Sequence, residues 1–329
     1  MLARVANNLF WMGRYIERAE HIARFVNVNY FSSLDAPDNV SQSRQIVLRS
    51  LMGMADNTNM PDDELEEQEV LFNIGLNPEK IYSIYNCVKF ARENANSARD
   101  LISTEIYETI NKFFHFVNGY SADVLVKKGL YEFSTTVTES AAVIRGKIRG
   151  TILHDDVYAI IMTGVHIERA MQVTRIIRSK SIDAKAADER SVNGYSNSYE
   201  WTTLLKCVES YDMMRRFYKK TPNSEKTIDF LILQEKCPRS FMNCLNQLYK
   251  HIQELSGVTS PKRGSSAFLI GKIRAEYKYK AINEIHNDIP GLIKRILSQL
   301  IDIAECVEKE FFDVSAINEI LAVQYQEFQ

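Results

Sequence analysis

The sequence predicts an all-α fold, a multi-helix bundle, on three observations. Glycine (13) and proline (7) are scarce in 329 residues, so few positions force a break in helical geometry. Apolar residues recur every three or four positions over long stretches. The alternation of β-branched residues that marks strands is nearly absent. The chain is also long enough to bury a substantial core.

The first segment has the clearest pattern. Leu2, Val5, Leu9, Met12, Ile16, Ala19, Ala23 and Val26 form the seam of a helix packed on other helices. Phe10, Trp11, Tyr15, Ile22 and Phe25 widen that seam, and Asp35-Ala36-Pro37-Asp38 supplies turn chemistry to end it. A second helix is expected over 40–54. Pro61-Asp62-Asp63-Glu64 opens a third, because first-turn proline and carboxylates suit a helix N-terminus. Asn77-Pro78-Glu79-Lys80 repeats that signal for a helix through about Cys87. Further helices are expected from near Ser103 to Phe116 and over 130–149.

The stretch from Ser181 to Asn197 is small and polar and reads as an exposed loop. Helices then follow at 199–218, 224–234, 238–254, 265–280, 286–312 and 315–327, with Pro238 in a first turn and Gly257 as a C-terminal stop.

An internal repeat organises the chain. Met12-Gly13-Arg14-Tyr15-Ile16-Glu17-Arg18-Ala19 returns as Thr163-Gly164-Val165-His166-Ile167-Glu168-Arg169-Ala170, an offset of 151 that also aligns Arg24 with Arg175. A weaker echo relates Asn94-Ala95-Asn96-Ser97 to Cys237-Pro238-Arg239-Ser240. The expectation is two pseudo-repeats, 1–150 and 151–329, forming one compact domain or two tightly packed halves. Gly13 and Gly164 cost helix propensity, which makes sense where another backbone approaches closely.

Neighbours such as Glu17 and Arg18 diverge by about 100° around a helix and do not pair with each other. Glu17 shares a face with Arg14, His21 and Arg24, and Glu168 has Arg175 two turns away. Each glutamate is therefore expected to meet an arginine on a partner helix, across the repeat. Such pairs serve as solvated charges, as a buried registry device, as a ligand site or in catalysis. For the ligand reading, Arg14, Arg18, Arg24, Arg92, Arg169, Arg175 and Arg239 are candidates to converge on a carboxylate or phosphate.

The rest of the sequence excludes several classes. A net charge of −2 gives no bulk reason to bind nucleic acid or an anionic membrane. No apolar run approaches the ~20 residues needed to cross a bilayer. Five scattered cysteines without a C-x-x-C point to a reduced, cytoplasmic setting. No phosphate-cradling glycine loop, nucleophile elbow or H-E-x-x-H occurs, so no cofactor and no metal site are expected. His154-Asp155-Asp156 reads as a helix start before it reads as a metal site. Cys237 is the least inert thiol, because it precedes a helix.

The run from Ala3 through Trp11-Met12-Gly13-Arg14-Tyr15-Ile16-Glu17-Arg18-Ala19-Glu20 closely resembles the opening of the alpha-E domain proteins, named for a helical fold with an E-R motif. Ala91-Arg92-Glu93-Asn94-Ala95, Arg99-Asp100, Ile167-Glu168-Arg169-Ala170, Trp201 with Leu204-Leu205, and Pro238-Arg239-Ser240 extend the resemblance over nearly the whole chain, and it adds Glu93 to the candidates. The resemblance implies company with circularly permuted ATP-grasp proteins and transglutaminase-like proteins. An accessory component that binds a partner, a peptide or a carboxylate ligand is then expected in a system forming or cleaving amide bonds. The alternatives are an amide-bond ligase or acyl-transferase half acting by itself, and a purely structural helical scaffold.

Overall fold

The computed structural model describes residues 2–34, 44–56, 64–190, 196–257, 260–280, 284–285 and 288–312. Among them every regular element is helical. In chain order the helices are α1 (Ala3–Leu34), α2 (Arg44–Asp56), α3 (Glu67–Gly75), α4 (Ile84–Ser97), α5 (Thr104–Gly119), α6 (Ala122–Val124) and α7 (Leu130–Thr151). There follow α8 (Asp156–Arg190), α9 (Ser196–Cys207), α10 (Tyr211–Tyr218), α11 (Ser224–Leu233), α12 (Phe241–Ser256), α13 (Ser266–Lys278) and α14 (Ile289–Phe311). A π-helical turn, Leu125–Gly129, joins α6 to α7.

Two long helices form the centre. Helix α1 packs on α8, α4 and α7, and α8 packs on α12, α9 and α14; α5 and α13 form an outer layer. Every residue of α8 from 159 to 174 is buried. A helix covered on all sides is normally apolar all round, yet this one carries His166, Glu168, Arg169 and Gln172 within that stretch. Those polar groups need partners inside the protein, since water cannot supply them.

The crossing of α1 and α8 explains the two glycines. A methyl group on Gly13 would lie 2.5 Å from the carbonyl oxygen of Ile161, and one on Gly164 would strike the carbonyl oxygen of Phe10. Neither neighbour is a flexible side-chain tip that can swing away. Gly164→Ala is therefore expected to destabilise the fold by about 1–3 kcal/mol, measured by urea unfolding. An unchanged midpoint would show that the two backbones part at little cost.

Several expected boundaries move. Asn77 closes a turn by accepting the Glu79 amide at 2.9 Å, and α4 starts only after Ser83, whose hydroxyl accepts the Asn86 amide at 3.2 Å. The cap residue outweighs the proline signal in the same way at α12, where Ser240 accepts the Asn243 amide and Pro238 stays outside the helix. The expected loop from Ser181 is helical to Arg190, because Ala184 and Asp183 are buried against neighbouring helices. The expected helix over 199–218 is two helices, divided by Glu209 in the left-handed conformation (φ 51°). Gly257 ends α12 as expected, at φ 62° with its amide donating to the Gln253 carbonyl. The turn at 35–38, the opening at 61–63 and the helix at 315–327 lie outside the described residues.

Candidate functional site

The α1–α8 crossing brings the two E-R pairs together in reciprocal fashion. Arg169 forks onto Glu17, with Nε to Oε1 at 2.6 Å and Nη2 to Oε2 at 3.0 Å. Arg18 forks onto Glu168 with the same pattern, at 2.6 and 3.0 Å. Both glutamates are fully buried. The bidentate geometry matches the flat guanidinium to the carboxylate and fixes the register of the two helices.

Further partners divide the core into two groups. Around Glu17, Arg239 donates through Nη1 at 3.2 Å, and Arg145 lies 3.5 Å away. The same two arginines hold Glu20, Arg239 through Nη2 at 3.0 Å and Arg145 through Nη2 at 3.0 Å, while Arg24 reaches Glu20 at 2.5 Å. Glu209, half-exposed at the α9–α10 turn, pairs with Arg24 at 2.9 Å and with Arg239. Four arginines thus face three carboxylates. The second group is smaller: Glu168 accepts from Arg18, from Arg14 Nε at 3.0 Å and from Gln172 Nε2 at 2.7 Å. The Arg14 guanidinium also lies over the Trp11 ring, 4.4 Å from its centroid.

The charges are set by these contacts. Burial opposes ionisation of Glu17 most strongly, but Arg169, Arg239 and Arg145 outweigh it and hold its carboxyl well below the ordinary range. Burial likewise opposes Glu168, and Arg18 and Arg14 reverse the balance. Burial lowers Arg24 to about 10 and Arg145 to about 10, with Arg239 adding repulsion to both. His21, its Nδ1 at 2.9 Å from the Glu17 carbonyl oxygen, is pushed down to about 3 by burial, so it stays neutral. His166 is lowered in the same way and stacks against His251 of α12, turned away from Glu168.

The sequence named most of these residues, with some errors. Arg14, Glu17, Arg18, Arg24, Glu168, Arg169 and Arg239 all enter the core, and each E-R glutamate meets an arginine of the partner helix as expected; of the two arginines on the Glu17 face, Arg14 reaches across to Glu168 and Arg24 binds Glu20 one turn back on its own helix. Arg92 and Glu93 stand apart. Arg92 donates to Asn111 at 2.6 Å over the Phe114 ring, and Glu93 is exposed. Glu20, Arg145 and Glu209 were missed. Only Glu20 carried a signal, one helical turn from Arg24 on α1. Arg145 and Glu209 sit on elements without a repeat.

Cys237 is buried, and burial raises its thiol against the pull of the following amides. Cys87, beside Arg18, is pushed up to about 12 by burial. Asp155 accepts the Val157 amide at 3.0 Å, as a helix-start residue does. Among the described residues no group of three His, Cys, Asp or Glu side chains is placed to hold a metal ion, and no helix is long and apolar enough to cross a membrane.

A cavity of about 820 Å³ lies elsewhere, between α8, α9 and α14. Ile182, Trp201, Ile293 and Ile301 give it an apolar lining, and Arg178, Lys185 and Lys294 bring positive charge to it. None of the core glutamates reaches it.

A family model for a predicted alpha-helical domain with a conserved ER motif matches residues 1–312. The chain belongs to the Alpha-E family. Its two E-R pairs are the reciprocal forks just described. Curated relatives are uncharacterised proteins of Mycobacterium tuberculosis (strain ATCC 25618 / H37Rv) and Mycobacterium bovis (strain ATCC BAA-935 / AF2122/97). Each is 22% identical over 282 residues, which cover 79% of this Alpha-E chain and 30% of the relative. The Alpha-E chain therefore matches less than a third of the length of these relatives. No solved structure matches it.

Proposed function

We propose that this Alpha-E protein is a binding component of a system that forms or cleaves peptide-type amide bonds, working beside a circularly permuted ATP-grasp protein and a transglutaminase-like protein. The observation that carries the binding reading is the closure of the E-R core. The Glu17 and Glu168 carboxylates are fully buried and forked by arginine, so they hold helices in register and cannot receive a substrate proton without the core opening. The apolar cavity between α8, α9 and α14 supports the binding reading, as a place where a partner segment can be received. The match to under a third of longer relatives supports a module that acts beside other polypeptide. The nature of the partners comes from the resemblance alone.

The test is co-purification of the tagged chain, expressed in its own organism, with an ATP-grasp protein and a transglutaminase-like protein. Retention of either is the expected result, with loss on Ile301→Glu, which places a charge in the cavity. Absence of both from the purified protein would overturn the reading. An enzyme acting by itself would instead show turnover that Glu17→Gln removes from a chain that is still folded.

A further inference from the structure

The charge around Glu168 does not balance. Arg14 and Arg18 both donate to this one carboxylate, and Arg175 is close enough to feel it as well. Arg175 lies seven residues beyond Glu168, a rise of about 10 Å along α8, and long helical side chains lean back toward the N-terminus. That lean carries the guanidinium toward the Glu168 group. Yet Arg175 makes no hydrogen bond or ion pair among the described residues, and its Nε is buried without a partner. Besides Glu168, the charged groups that act on Arg175 most strongly are Arg18, Arg14 and Arg178. Among the described residues three guanidinium groups thus have one carboxylate between them, a surplus of two positive charges in a mostly buried place.

The neighbouring cluster shows what a balanced arrangement looks like in this protein. There each of Arg24, Arg145, Arg169 and Arg239 has at least one carboxylate within 3.5 Å. A largely buried cation without a counterion is costly, and folds retain one where something else supplies the missing charge. A water molecule can satisfy the Nε–H, but it cannot neutralise the guanidinium.

We infer that Arg175, with Arg14 and Arg18, forms a binding site for a small oxyanion, a phosphate or carboxylate group, lodged between α1 and α8 above Glu168. Guanidinium forks suit such groups because two parallel N–H donors match two oxygens. The place is not sealed: the Arg18 side chain keeps 17% of its surface exposed, and Trp11, Tyr15 and Arg175 are partly exposed. One detail favours phosphate. Gln172, between Glu168 and Arg175 on the same face of α8, donates its Nε2 to Glu168 and leaves its Oε1 buried without a donor. A hydrogen phosphate has an O–H to give to that acceptor, and an ionised carboxylate has none.

The inference goes beyond the binding reading above, at a place apart from the α8–α9–α14 cavity, and it is tested separately from the partner proteins. The full chain is titrated with inorganic phosphate and, in parallel, with acetate, each against sodium chloride of equal ionic strength. Calorimetry measures binding and thermal unfolding measures stabilisation. Phosphate is expected to bind saturably and to raise the melting temperature, acetate more weakly. Arg175→Gln is expected to weaken phosphate binding at least tenfold. In anion-free buffer the same substitution should raise the melting temperature, because it removes an unpaired buried charge. Arg175→Lys keeps the charge but loses the fork, and should bind at an intermediate level. Stabilisation no greater than that given by chloride would overturn the site. So would an Arg175→Gln protein that is less stable than the parent and still binds phosphate. Loss of the partner proteins with phosphate binding intact would count against the peptide-system reading and leave this site standing.

Discussion

Glu17→Ala is expected to destabilise the protein by about 3–5 kcal/mol, the range for breaking a buried ion pair from one side. The magnitude follows from what the substitution leaves behind. Arg169 would lose both hydrogen bonds of its fork, and Arg239 and Arg145 would lose one of their two buried acceptors. Those guanidinium groups cannot shed their charge near neutral pH, so the cost of their burial goes uncompensated. Glu168→Ala should fall in the same range by stranding Arg14 and Arg18. The control is Glu67, which forms an equally short pair with Arg44 (2.6 Å), but with about a third of each side chain exposed. Glu67→Ala should cost roughly 1 kcal/mol or less, since water replaces the lost partner. Chemical denaturation of the three variants distinguishes the cases. Equal small losses at all three positions would mean that the core carboxylates are not what holds α1 against α8.

Acid should destabilise the protein well before its carboxylates titrate. In the unfolded chain an imidazole takes up a proton below about pH 6.5. In the folded protein His21 resists protonation until about pH 3, through burial and the nearby Arg239 and Arg24, although Glu17 pulls the other way. His166 is held down similarly by burial, Arg169 and His251. Between these limits the unfolded state binds more protons, so stability falls as the pH falls. Their contribution is whole above pH 6.5 and declines below it, by up to about 1.4 kcal/mol per pH unit for each histidine. Glu17 and Glu168 act in the same direction at lower pH, because their folded-state values are depressed: what they add is present above the ordinary carboxylate range and lost below it. Denaturation between pH 7 and 4 should show a declining midpoint, and His21→Gln should flatten the upper part of that decline. A midpoint independent of pH from 7 to 5 would contradict the neutral, buried state of these rings.

Much of this protein was legible in its sequence. The helical class follows from scarce glycine and proline and from apolar spacing, both local properties that any helix must satisfy. The two glycines and the duplicated Ile-Glu-Arg-Ala segment marked the helix crossing before any contact was known; it was their coincidence with the repeat that carried the signal, since Gly53, Gly146 and Gly150 are also helical and have open space around them. Helix ends were read less well. At Asn77 and Pro238 the proline signal was visible, but a serine a few residues later made the cap.

Only the tertiary structure decided which arginine serves which carboxylate. Arg14 and Arg24 share a face with Glu17 on α1, yet they turn to Glu168 and Glu20. Arg24 takes the glutamate one turn away on its own helix, whereas the choice of Arg14 depends on the crossing of two helices about 150 residues apart, and no local pattern encodes it. Arg145 and Glu209 entered the core with no signal at all, and Arg92 stayed out despite its place in the resemblance. The imbalance at Arg175 was invisible for the same reason. A sequence shows which side chains carry charge, whereas an unpaired charge is a property of the three-dimensional surroundings, where distance and burial determine what each group can reach.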